Sequence, residues 1–114
     1  MALGRANENY YEEIKTMTYI DKLFDIQNQV AVVTGAGGYL CSTMAIGLSK
    51  AGAKVAVLDL RLEKAQSVAD KIINSGGEAI ALEIDVANKE QHIESLKAVL
   101  DRFGSVDILV NGAG

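Results

Sequence analysis

With 114 residues, 49% of them apolar and 23% charged, the chain has the size and make-up of one soluble globular domain and not of a disordered segment. Its net charge of −4 repels phosphate backbones and anionic lipid, so neither nucleic acid nor membrane is expected as a partner. A single cysteine, Cys41, rules out an internal disulfide, no run of about 18 apolar residues could span a bilayer, and the polar N-terminus lacks the apolar stretch of a secretory signal, so a cytoplasmic protein is expected.

Residues 1–18 show no clean period and read as a flexible leader, with the domain occupying 19–114. Tyr19, Ile20, Leu23, Phe24 and Ile26 have helix-like spacing, which predicts a segment lying against the domain as far as Gln29. Val30-Ala31-Val32-Val33 is a short apolar run ending at Thr34-Gly35, the pattern of a strand buried on both faces. Leu40, Met44, Ile46 and Leu48 mark a helix to about Lys50, with Gly52 placed to stop it. Lys54 to Leu58 is a second apolar strand, followed by Asp59.

Leu62, Ala65, Val68, Ala69, Ile72 and Ile73 recur at three and four residues and predict an amphipathic helix closed by Ser75-Gly76-Gly77. Ala79 to Ile84 is a third strand, followed by Asp85-Val86. Asn88 and Gln91 have the spacing of a capping pair, and Ile93, Leu96, Leu100 and Phe103 are expected to form the buried face of a third helix. Gly104 ends that helix, and Val106 to Val110 is a fourth strand before Asn111-Gly112-Ala113-Gly114.

Strands alternating with helices of about 10–15 residues predict an α/β fold: a doubly wound parallel sheet of the Rossmann type, truncated after its fourth strand. Ligands of such sheets bind beyond the C-terminal strand ends. Thr34-Gly35, Asp59, Asp85 and Asn111 all fall on that rim.

The turn from the first strand to the first helix carries Gly35, Gly37 and Gly38, followed by Tyr39 and Leu40. Glycine allows a tight turn and lets a pyrophosphate approach the backbone, while the helix start offers free N–H groups and a positive dipole end. A strand-to-helix turn with no ligand has the same glycines. It is not a triphosphate-binding loop, because no Lys-Ser or Lys-Thr follows the last glycine. Asp59 lies 24 residues beyond Gly35, near the spacing of about 20 expected for an acid that accepts hydrogen bonds from the adenosine ribose. A carboxylate there repels the extra phosphate of NADP, so NAD is the expected cofactor, although Arg61 could pair with that phosphate. A solvated turn residue is the alternative for Asp59.

Taken together these motifs resemble the short-chain dehydrogenase/reductase family, over Phe24 to Gly114. Thr34, Gly35 and Gly38 match a variant of the family's glycine motif, Tyr39 departs from its common form, and Cys41 stands where a third glycine is usual. Asp85-Val86 matches the pair that lies along the adenine. Asn111-Gly112-Ala113-Gly114 matches Asn-Asn-Ala-Gly with glycine for the second asparagine. The resemblance implies that Asn111 steadies the sheet while Gly112 and Ala113 line the cofactor. A narrower resemblance, through Gly38-Tyr39-Leu40-Cys41, Met44-Ala45 and Ile108 to Gly114, is to the D-mannonate (fructuronate) oxidoreductase branch. It implies hydride transfer between a nicotinamide cofactor and a hydroxy/keto substrate such as D-mannonate/D-fructuronate.

The family's catalytic Ser and Tyr-x-x-x-Lys are absent from the 114 residues, so no catalytic residue is expected in this chain and no activity from it alone. Tyr11 and Lys15 have the right spacing but precede the first strand. His92, the only histidine, reads as a surface residue, since one histidine makes no metal site. Cys41 reads as a packing residue and Tyr10-Tyr11 as an ordinary contact. A small-molecule substrate is expected only for a full-length enzyme, and the fourth strand is expected to leave an open edge prone to self-association. Two other functions fit less of the sequence: a non-catalytic dinucleotide-binding regulatory module, and a methyltransferase, for which Thr34-Gly35 and Asn111 to Gly114 have no role.

Overall fold

The computed structural model describes residues 18–113, so Gly114, Tyr10, Tyr11, Lys15 and nearly all of the expected leader lie outside the described residues. Four strands, β1 (Val30–Thr34), β2 (Lys54–Asp59), β3 (Ala79–Glu83) and β4 (Ile108–Asn111), form one parallel sheet in the order β3-β2-β1-β4. Among the described residues four helices accompany them: α1 (Tyr19–Leu23), α2 (Tyr39–Lys50), α3 (Leu62–Asn74) and α4 (Lys89–Phe103). The expected doubly wound α/β arrangement is present, with β1 central and the strand order reversing beside it.

The sequence dictates this locally. β1 is buried along its whole length, as Val and Ala runs are when helices cover both sheet faces. α2 turns only Cys41 and Ala45 fully inward, small side chains that let it approach the sheet. α3 buries Ala65, Val68, Ala69 and Ile72 against Val33, Val55 and Val57, while Leu62 and Ile73 of the expected stripe are exposed. Gly104 stops α4 in the left-handed region at φ 85°, where its N–H reaches the Leu100 carbonyl.

Three expectations need correction. The stripe Ile93, Leu96 and Leu100 does not form the buried face of α4: these residues are 60%, 51% and 42% exposed. The helix instead turns Ser95 and Val99 toward the sheet, with Phe103 half-buried beside them. The stripe stays exposed, with Leu96 bordering the cleft beside the sheet, because a helical stripe is buried only where a neighbour stands against it.

β4 begins at Ile108 and not Val106. Asp107 halts it, accepting the Val30 N–H at 2.8 Å and the Ser105 hydroxyl at 3.0 Å on one carboxylate oxygen. Finally, Tyr19 to Phe24 do not pack: α1 is closed by a capping box at Thr18, yet none of its residues is buried. The link to the sheet comes later, through Asn28 N–H to the Gly52 carbonyl and Lys54 N–H to the Gln29 carbonyl.

Candidate functional site

The site lies where β1, β2 and β4 end. Gly35 has φ 65°, a region that suits glycine, and a side chain there would begin 2.9 Å from the Gly112 carbonyl group and 3.0 Å from the Ala113 nitrogen. The glycine therefore allows both the turn and the close approach of the β4 loop. Gly37 is needed on the other flank, since a Cβ would lie 2.7 Å from Lys64 Cβ and 2.9 Å from the Asp59 carboxyl carbon.

Gly38 is the N-cap of α2 and has no side chain to satisfy the first N–H groups of the helix. No acidic residue occupies the first turn of α2 either. The other described helices differ: Thr18 and Asn88 cap α1 and α4 with side chains, and Glu63 lies in the first turn of α3. The start of α2 is thus a set of uncommitted donors at a positive dipole end, the arrangement that receives an anion.

Asp59 closes the flank. Its carboxylate accepts the Gly37 N–H at 3.3 Å on one oxygen and the Arg61 N–H at 3.2 Å on the other. These bonds fix its orientation beside the glycine turn and leave acceptor capacity on both oxygens. Tyr39 and Leu40 open α2 as exposed residues; Tyr39 is 91% exposed.

On the opposite flank the buried Thr34 hydroxyl is a hub. It accepts the N–H of Gly112 at 3.0 Å and of Ala113 at 3.3 Å, and reaches the Val110 carbonyl at 3.4 Å and Asn111 Oδ1 at 3.3 Å. Sequence reading placed Thr34 in the glycine motif but not among the site residues. The available signal was a lone hydroxyl ending an apolar strand.

The structure brings together Gly35, Gly37, Gly38, Tyr39, Leu40 and Asp59, with Asn111, Gly112 and Ala113 against the turn. Asp85 and Val86 lie one strand further out, at the end of β3, where the Ile84 N–H donates to the Asp59 carbonyl. Asp85 serves its own loop, accepting the Ala87 N–H at 3.0 Å. His92 is exposed; its Nε2 lies 2.6 Å from the Val86 carbonyl, which can only accept, so that nitrogen carries the proton. Among the described residues no group of His, Cys, Asp or Glu could hold a metal ion, and no helix is long and apolar enough to cross a membrane. A cleft of about 450 Å³ lies between the sheet and α4, lined by apolar residues such as Val32, Leu58 and Leu109, with Thr34, Asn111 and Ala113 among its polar and backbone edges.

A family model described as short chain dehydrogenase matches residues 29–114. An uncharacterized oxidoreductase, UxuB, of Bacillus subtilis is 41% identical over 90 residues, which cover 79% of this chain and 32% of that protein. The crystal structure of a putative D-mannonate oxidoreductase from Haemophilus influenzae with bound NAD is 41% identical with a TM-score of 0.77, covering 83% of this chain and 34% of that one. A metagenomic short-chain oxidoreductase in complex with NADP is 35% identical with a TM-score of 0.73, over 77% of this chain and 40% of that one. The chain spans about a third of the length of the curated relatives it matches, 32% in the case of UxuB.

Proposed function

This chain belongs to the short-chain dehydrogenase family, and from that premise we propose that it is the dinucleotide-binding part of an NAD-dependent oxidoreductase. One observation supports the site more than any other: α2 alone among the described helices starts with neither a side-chain cap nor an acid in its first turn, next to an oriented carboxylate at Asp59. This donor set fits a dinucleotide. Backbone N–H groups of Tyr39, Leu40 and Cys41 would receive the diphosphate, the Gly38 N–H being held by the Gly35 carbonyl at 3.1 Å, and the free lone pairs of Asp59 would accept from the adenosine ribose. Val86 would lie along the adenine with Asp85 holding its loop, and Gly112 and Ala113 would line the trough while Asn111 holds the β4 end to Thr34.

When bound, the nicotinamide cofactor supplies a hydride acceptor or donor. The residues described here bind and orient; no side chain among them is assigned to proton transfer. The polypeptide of 114 residues is accordingly expected to bind cofactor and to show no substrate-dependent NADH turnover by itself. For the complete enzyme we propose the D-mannonate/D-fructuronate pair as substrate, supported by the likeness to the Haemophilus influenzae protein. We place the protein in the cytoplasm on its acidic charge and single unpaired thiol.

Calorimetric titration with NAD and NADP tests the reading. NAD is expected to bind more tightly than NADP because Asp59 repels a 2′-phosphate. Asp59→Ala is expected to weaken NAD by about tenfold or more, the loss of hydrogen bonds to a charged acceptor, and to narrow the NAD/NADP difference. Equal binding of both cofactors by parent and variant would refute the role of Asp59, and no binding at all would refute the cofactor site.

A further inference from the structure

Two of the three departures from the family pattern noted in the sequence, cysteine at 41 and glycine at 112, are in contact. A Cβ built on Gly112 would overlap the Cys41 sulfur, and it would lie 3.6 Å from Cys41 Cβ and 3.0 Å from the Thr34 carbonyl oxygen. The thiol thus occupies the space that a side chain at 112 would need. Cys41 is buried, and Gly112 follows directly on β4, 71 residues away in sequence.

We propose that Cys41 and Gly112 are a matched pair that sets the spacing between the first turn of α2 and the end of β4, and so positions the far half of the cofactor trough. The inference rests on the dinucleotide reading above. The sheet order β3-β2-β1-β4 gives it direction. A ligand with its adenosine ribose at Asp59, on β2, and its phosphates at the start of α2, beyond β1, reaches Gly112 and Ala113 only with its other half. The thiol is a wedge here: too large a residue at 112 pushes against it, and its removal lets the β4 loop settle toward α2. Neither residue touches reacting atoms; both are positioning residues.

The test is a double-mutant cycle in the 114-residue chain, using Cys41→Ala, Gly112→Ala and the two combined, with thermal melting and titration by NAD and by AMP. Alanine at 41 removes the sulfur but keeps the Cβ and a good helix former, so the new Cβ at 112 meets the Cβ at 41 at an ordinary 3.6 Å, and only the tight approach to the Thr34 carbonyl oxygen at 3.0 Å remains. Gly112→Ala alone is expected to lower the melting midpoint by roughly 5–10 °C and to weaken NAD on the order of tenfold, while AMP, which stops short of β4, changes much less. The double variant is expected to recover most of both losses. Additive effects, an unaltered Gly112→Ala protein, equal weakening of NAD and AMP, or a double variant that folds no better than Gly112→Ala would each overturn the pairing or its positioning role. A parent chain that binds no NAD would end the cofactor reading instead, and the melting data would still decide whether the pair is matched.

Discussion

The two faces of the sheet are built from the same kinds of residue but are covered unequally. On one face α2 and α3 bring Cys41, Ala45, Ala65, Val68, Ala69 and Ile72 down onto Val33, Val55 and Val57. On the other, α4 buries only Ser95 and Val99, Val99 packing with Val32, Leu58 and Ile84, and a cleft of about 450 Å³ opens beside that contact. Ile93, Leu96 and Leu100 remain exposed on that side. The difference shows that an amphipathic period reports the ability to be buried, while burial itself depends on what stands opposite.

Substitutions on each face test how far that inequality extends to stability. Ile72→Ala, in the closed face, is expected to cost about 2–5 kcal/mol in urea unfolding, because a filled site becomes a cavity. On the open face a polar tie joins the ends of β1 and β4. Thr34→Val is expected to cost about 1–3 kcal/mol, since it strands the Gly112 and Ala113 N–H groups. Val99→Ala is expected to cost about 1–2 kcal/mol, the transfer of two methyl groups with little added cavity beside an existing cleft. Leu96→Gln is expected to stay within about 0.5 kcal/mol. If Val99→Ala equals Ile72→Ala, or Leu96→Gln destabilises by more than about 1 kcal/mol, the open face is packed more firmly than its geometry indicates.

The strands, their order of alternation and the rim on which site residues gather were readable from short apolar runs and glycine punctuation, which are local signals. The glycine turn and Asp59 were readable because their spacing is fixed by a strand and a helix of ordinary length. The orientation of α4 was not, since Ser95 carries no apolar mark and Leu96 carries a strong one. Thr34 and the Cys41–Gly112 contact were also hidden, because each depends on residues more than 70 positions apart meeting at the β1–β4 junction. Asp107 delayed the start of β4 for a similar reason: its carboxylate serves Val30, 77 residues away.

The pairing of β1 with β4 also bears on synthesis. β1 emerges from the ribosome first and gains its neighbour β2 soon afterwards, yet its other side is closed only by Ile108–Asn111. Throughout the intervening translation a Val-rich strand in the middle of the nascent sheet offers bare amides to any passing chain. Nascent-chain protection of this strand by a chaperone would matter most in the interval before β4 leaves the tunnel, and slow elongation would lengthen that interval.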